Sequence, residues 1–435
     1  MHTASDPVQP WDPLRGASVA LTVRRLERSS RRQRTVLFAA LDRRRGCQAF
    51  ERLDPALQSE LLEDLPPDLV GPVFDDLDPD VRAEVLQRLP AGVAQRLLAG
   101  LAPAERALTT ALLQWPAGCV GRRMSPEVVA LRRGLSAADA LAQVRAQEPQ
   151  AESVYTLCVV DEEQRLVGVV SLRRLLVADP GEAIEAVAAE PVALAPHVPE
   201  EDAARTLLAH GFAAMPVVDS AGRLLGLFTA DDAYRVAERE QDEDAARAGG
   251  SEPLDRPYLL IRPWTLYRRR IVWLLVLIAA ATLTVSVLDF FEQALLEVVA
   301  LALFIPLLIG TAGNTGAQAA TTCVRAMALG DVTFGDLRRV AGKECLTGAL
   351  LGATLGAVAF VPAALSAGRE VATVVALTLV VICTMAATVG VLVPMVARRL
   401  GMDPAVVSAP FITTFTDAAG LVVYFLIATA VLGLR

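Results

Sequence analysis

One ionisable side chain interrupts the last apolar stretch of this 435-residue chain. Residues 407–434 read VSAPFITTFTDAAGLVVYFLIATAVLGL, with Asp417 near the middle. Such a stretch can cross a bilayer, which takes about 20 residues. A carboxylate at that depth costs roughly 2.5–3.5 kcal/mol on insertion scales, so it belongs on a water-filled or protein-lined path. A carboxylate held neutral, or paired with another span for packing, is the alternative. The expectation is that Asp417 lines an ion path and that the rest of the chain feeds or gates it.

A second polar motif follows Pro306: PLLIGTAGNTGAQAATTCVRAMALGD. Gly310, Gly313, Asn314, Gly316 and Gln318 crowd what would otherwise be a spanning helix. Non-helical backbone at membrane depth is tolerated where it lines a water-filled cavity. There, its carbonyls and the Asn314 and Gln318 amides could coordinate a cation or its water shell. Close helix packing through small residues is the competing explanation.

Composition narrows the cation. Six scattered cysteines form no CxxC pair, and there are three histidines. Neither a disulfide framework nor a soft-ligand metal site is indicated, which suits hard cations such as Mg²⁺. The hydrophobic fraction is 53% and the charged fraction 21%, pointing to several domains with a membrane part. The first 265 residues hold no long apolar run, so no cleaved signal peptide is expected. They carry 30 basic and 40 acidic side chains, a net of −10, while residues 266–435 carry 11 and 9, a net of +2. An acidic soluble half attracts cations rather than nucleic acid.

Positioning these motifs requires a multidomain membrane protein. Residues 1–45 hold ten arginines against four acids and are read as an arm, either a basic helix on anionic lipid or a solvated segment. In residues 46–122, Leu53, Leu65, Leu77, Leu89 and Leu101 recur every twelve residues, each followed closely by proline. Proline at helix starts and apolar residues at helical spacing predict a small α-helical solenoid. Asp64, Asp68, Asp75, Asp76, Asp78 and Asp80 concentrate negative charge on it.

Residues 123–182 and 183–240 form a second repeat with a period of 58. CVVDEEQRLVGVVSLRRLL from Cys158 matches PVVDSAGRLLGLFTADDAY from Pro216: strand, Asp-containing turn, strand with glycine, helix capped by Ser171 or Thr229. This resembles a tandem of CBS domains, an α/β fold whose pairs commonly bind nucleotides. Thr229 and Asp232 fit the pattern for a ribose contact, whereas Arg174 replaces the usual Asp in the first copy. The resemblance therefore implies at most one intact site, and leaves ATP as an optional ligand.

Residues 241–265, with the preceding residues, form an acidic connecting helix and linker that carries Glu238, Glu240, Asp242, Glu243 and Asp244. Carboxylates one turn apart destabilise a helix unless a cation or basic partner lies nearby. Residues 266–435 are read as an all-α domain of five spans, near 271–289, 294–318, 345–366, 372–396 and 407–433. Arginines and Lys343 flank one side. This places the N-terminal soluble half in the cytosol and the C-terminus outside, as in a multi-pass protein of a bacterial inner membrane.

The GTAGNTGAQ motif, the DPAVVSAP…TFTDAAGLVVYF ending, the CBS pair and the acidic linker together resemble an MgtE-type magnesium channel/transporter. The match runs from about residue 50 to the end. The resemblance implies a homodimer with the pore on its axis, Asp417 as the central pore carboxylate, and Gly310, Gly313 and Asn314 in the turn around the ion path. It also implies closure by cytosolic Mg²⁺ bound among the soluble domains, with Glu201, Asp232, Glu240, Glu243 and Asp244 at matching acidic positions. This chain departs from the family pattern at Ala409, Ala312 and Ala317 in the membrane part, and at Arg235 and Gly211 in the soluble part. A carrier for Co²⁺ or Mn²⁺ and a membrane-anchored CBS nucleotide sensor remain alternatives. An enzyme is not expected, since no nucleophile–base set, P-loop or histidine metal motif occurs.

Overall fold

The computed structural model describes residues 18–147, 151–254, 258–402 and 409–434. They fall into two compact units, one reaching Glu240 with the short segment ending at Ile261, the other made of Gln241–Leu254 and Arg262 onward.

The first unit opens with short helices: Val19–Arg28, Arg31–Ala39, Arg43–Glu51, Pro55–Asp64, Pro67–Asp75, Pro79–Arg88, Ala91–Gly100 and Pro103–Leu113. Pro55, Pro67, Pro79 and Pro103 stand at first-turn positions, where the missing N–H is not needed. The twelve-residue leucines are all buried in one core with Phe50 and Phe74. Through most of the series each helix packs on the next but one, as a solenoid requires.

The arginine-rich stretch is not a separate arm where it is described. Val23, Leu26 and Phe38 enter the solenoid core. Arg34 is buried and donates to the Leu26 and Ser29 carbonyls, both at 3.0 Å, and to Glu60 at 2.8 Å. Arg31 pairs with Asp64 at 2.6 Å. Arg31, Arg34 and Arg43 thus pair with carboxylates of the solenoid, against the reading of a separate arm. Residues 1–17 lie outside the described residues.

The CBS pair builds two small sheets. In the first, Val128–Arg132 runs parallel to Ser153–Val160, which pairs antiparallel with Leu166–Ser171. In the second, Ala214–Val218 pairs antiparallel with Leu224–Thr229. The repeats dock reciprocally: Leu166 N donates to Gly222 O at 2.9 Å and Leu224 N to Gln164 O at 3.0 Å, residues one repeat apart. Gly226 is required for close approach, since a Cβ there would lie 2.5 Å from the Ser125 carbonyl oxygen.

Among the described residues, the second unit holds five helices long and apolar enough to cross a membrane: Pro263–Phe290, Val299–Ala328, Phe334–Ala367, Arg369–Arg399 and Pro410–Leu432. Gly368, at φ +89, turns the third directly into the fourth. Gly348, Gly352 and Gly356 let those two helices meet backbone to backbone. The second, fourth and fifth spans enclose a core containing Ala312, Leu379, Ile382, Cys383 and Tyr424.

The second span corrects the expected boundary near residue 318 and the expected non-helical turn. A 3₁₀ segment, Val299–Phe304, leads into one α-helix, Ile305–Ala328, which carries the whole GTAGNTGAQ motif. The helix survives its glycines because Gly313 and Gly316 seat against the fifth span, while a Cβ on Gly390 of the fourth would meet the Gly316 carbonyl oxygen at 2.5 Å. Small-residue packing thus accounts for those two glycines, and Ala312 is a core residue rather than part of a turn.

Candidate ion path and charged junction

Asp417 lies in the helix Ala409–Leu432 and is half-buried. A Cβ at Gly313 would stand 3.2 Å from Thr413 Cγ2, a tight approach, and 3.6 Å from Asp417 Oδ1, an ordinary contact, so the glycine makes room for Thr413 and lies beside the carboxylate. No charged group among the described residues acts on Asp417. Thr413 and Thr414 both satisfy their hydroxyls on the Pro410 carbonyl.

Gly310, Asn314 and Gln318 follow at four-residue intervals and are exposed along one face of the second span. Their amides remain available, but the backbone carbonyls here serve the helix and are not free to coordinate, contrary to expectation. Gly313 is brought to Asp417; Asn314 and Gln318 occupy the neighbouring face. Residues 403–408 and the Ala409 side chain lie outside the described residues.

Among the expected gating carboxylates, Glu201 pairs with Arg205 at 2.5 Å on an exposed first turn. Asp232 is buried, accepts from Thr229 Oγ1 at 2.7 Å and pairs with Arg235 at 2.5 Å. Both of its oxygens are engaged, so ribose or cation binding there must displace a partner. Glu243 pairs with Arg247 at 2.8 Å, and Glu240 and Asp244 are also engaged. Among the described residues, no group of three or more His, Cys, Asp or Glu side chains could hold a metal ion.

Asp232 instead joins a cluster spread across the solenoid and the CBS pair. Burial, and then Asp78, pushes Glu51 up to about 7. Burial, then Asp78, Asp232 and Asp231, pushes Glu152 up to about 8. Burial first, then neighbouring carboxylates, holds Asp78 and Asp80 above the ordinary range. Burial also raises Asp232, against the pull of Arg235. Asp78 and Asp80 stood out in the sequence as charge at a helix start. Glu51 and Glu152 did not, because nothing local shows that they meet across domains.

Known proteins match this chain along most of its length. Residues 305–427 match the MgtE family, described as a divalent cation transporter; residues 17–118 match the MgtE intracellular N domain; residues 118–181 and 184–239 match CBS domains. The magnesium transporter MgtE of Thermus thermophilus is 39% identical over 339 residues, 78% of this chain and 75% of that protein. The chain belongs to the MgtE family. The Enterococcus faecalis magnesium transporter MgtE is 34% identical over 73% of this chain and 70% of its own length. A crystal structure of the cytosolic domain of the Mg²⁺ channel MgtE in complex with ATP matches 51% of this chain and 92% of that one, at 32% identity and a TM-score of 0.50. With its five apolar helices, this MgtE-family chain is a multi-pass membrane protein. The family N domain begins at residue 17, in accord with the arginine-rich helices sharing the solenoid core.

Proposed function

We propose that this chain is a Mg²⁺-selective channel/transporter for magnesium uptake. It works as a homodimer in a bacterial inner membrane, with its soluble domains in the cytosol and its C-terminus outside. The observation that carries the reading is Asp417, a half-buried carboxylate on the fifth span with no charged partner among the described residues, beside Gly313 of the second. Mg²⁺ gives up its water reluctantly, so a path needs oxygens that hold the hydrated ion rather than a tight cage. Asp417 would attract the ion, and Asn314 and Gln318 would hydrogen-bond its water shell. A second copy would double the carboxylates and cover the polar stripe that one copy leaves exposed.

Cytosolic Mg²⁺ closes the channel in this reading. The soluble half is acidic, and divalent ions would relieve repulsion among its carboxylates, Glu201, Asp232, Glu240, Glu243 and Asp244 among them. A ligand shifts such an equilibrium only by preferring one state. Arg235 already occupies part of this charge, so the Mg²⁺ threshold would differ from relatives lacking it. ATP would bind the CBS pair near Thr229 and Asp232, as the ATP complex of the related cytosolic domain suggests.

The test is Mg²⁺ influx into proteoliposomes loaded with a Mg²⁺ indicator, comparing wild type with Asp417→Asn. Flux in the wild type that collapses in the variant is expected. Equal flux in both would remove Asp417 from the path. No Mg²⁺ flux with the soluble-domain side kept Mg²⁺-free would redirect the assay to Co²⁺ and Mn²⁺, and failure there would favour the nucleotide sensor.

A further inference from the structure

A different charged site lies toward the C-terminal end of the helix Pro79–Arg88. A cavity of about 230 Å³ opens there, bounded also by the turn Val120–Arg123 and the helices Glu200–His210 and Ala230–Ala248. Arg88, Arg122, Arg123 and Arg239 line it, against Glu84 and Glu200. Glu84 pairs with Arg88, with Arg123 and, at 3.2 Å, with Arg239. Glu200 takes Arg123 at 2.6 Å and Arg239 at 3.9 Å.

Two carboxylates cannot balance four guanidiniums, so the lining holds a surplus of two positive charges. The guanidiniums crowd one another at Arg88, whereas, against its burial, Glu84 and Glu200 hold Arg123 above its ordinary value. Burial, and then repulsion from Arg239 and Arg123, holds Arg88 below its ordinary value although Glu84 pulls the other way. Against the burial that would raise it, Arg123, Arg88 and Arg239 hold the Glu84 carboxyl below its ordinary value. Arg122 Nη2 donates to Leu113 O at 2.7 Å. A network that served only to tie the domains together would balance its charges. Four guanidiniums against two carboxylates around a small cavity are matched by a compact dianion with several acceptor oxygens.

We propose that this cavity is an oxyanion site that takes a phosphate group, either inorganic phosphate or the terminal phosphate of a nucleotide whose base stays outside. A dianion there would cancel the surplus charge, and its oxygens would accept from guanidiniums of the solenoid and of the CBS segments alike. The site is separate from Asp232 and the acidic cluster, and its occupancy does not depend on the transport reading.

Isothermal titration calorimetry on the full chain in detergent micelles, in chloride buffer without Mg²⁺, tests the site with inorganic phosphate and then with ATP. One saturable phosphate site per chain is expected. Arg88→Gln with Arg122→Gln should weaken it about tenfold or more, while Glu200→Gln, which removes a repelling carboxylate, should tighten it several-fold. Tightening distinguishes a binding site from a merely structural network, since a poorly folded variant cannot bind better. Phosphate that competes with ATP would mark the nucleotide as the source; phosphate that binds without competition would mark the free ion. No saturable heat up to about 20 mM phosphate, or equal affinity in the double variant with an unchanged gel-filtration profile, would overturn the proposal.

Discussion

Replacing Glu152 by glutamine should stabilise the first unit at high pH and leave it nearly unchanged at low pH. Glu152 immediately precedes the strand Ser153–Val160, and its backbone N–H donates to Glu127 O at 3.0 Å. Its carboxyl rises from the ordinary 4.5 to about 8, through burial and then Asp78, Asp232 and Asp231, with Ser125 opposing. A raised value means that the folded chain holds this proton more tightly than the unfolded chain does. Stability from the group is therefore full below about pH 4.5 and is lost as the pH climbs to about 8. At about 1.36 kcal/mol for each pH unit, the whole window amounts to roughly 5 kcal/mol. The effective dielectric around a partly solvated side chain lowers that to roughly 2 kcal/mol.

Glutamine keeps the shape and removes the titration. Urea unfolding of the full chain in micelles, without divalent ions, measures the difference. Trp115 packs edge-on to His197 at 5.1 Å and reports from the start of the CBS pair, provided Trp11, Trp264 and Trp273 are replaced by phenylalanine. The expected gain is close to zero at pH 4 and roughly 2 kcal/mol by pH 8. An equal gain at both pH values, or a loss at pH 8, would refute the picture of a crowded, proton-holding carboxylate.

Two further outcomes follow from the packing and from the proposed gate. A Cβ on Gly352 would lie 2.5 Å from Leu379 O and Val380 Cα, so Gly352→Ala must push the third and fourth spans apart, at a cost of about 1–3 kcal/mol. Its thermal midpoint in micelles should fall while that of Gly342→Ala, which meets nothing within 4 Å, should hold or rise; a shared fall would discredit the packing account. Neutralising Glu240, Glu243 and Asp244 together should leave Mg²⁺ flux open at millimolar Mg²⁺ on the soluble-domain side, and closure at the wild-type concentration would take this part of the helix out of the gate.

Periodicity made most of the fold legible. Leucines every twelve residues with prolines beside them fixed the helix starts of the solenoid, and the doubled strand–turn–strand pattern fixed the CBS repeats. The five spans were visible from apolar length alone. The second span was misjudged because glycine, asparagine and glutamine each argue against a helix locally, whereas contacts with the fourth and fifth spans decide the outcome. The arginine-rich helices were misplaced for a similar reason: Arg34 looks solvent-bound in sequence, and only the fold supplies Leu26 O, Ser29 O and Glu60 as its partners. Asp417 was legible because a charge in an apolar run is conspicuous. The cluster of Glu51, Asp78, Asp80, Glu152 and Asp232 was only partly so, because its members come from four separated segments.

The solenoid meets the CBS pair through two clusters of opposite character, ordered alike along two helices. In Pro79–Arg88, Asp80 lies in the first turn and Glu84 and Arg88 follow. In Ala230–Ala248, Asp232 and Arg235 come first and Arg239 follows. Asp80 acts on Asp232, and Glu84 pairs with Arg239. Carboxylates therefore gather at the helix N-termini, where the backbone dipole favours them, yet burial and mutual repulsion still hold their protons. Arg235 partly relieves that repulsion as a cation fixed in the chain. Protons relieve the rest, which is why Glu51 and Glu152 keep theirs at pH values where an exposed carboxylate has lost its own. Asp232 belongs both to this cluster and to the proposed gate, so under that proposal the proton load of the cluster sets how much charge Asp232 leaves for Mg²⁺ to neutralise.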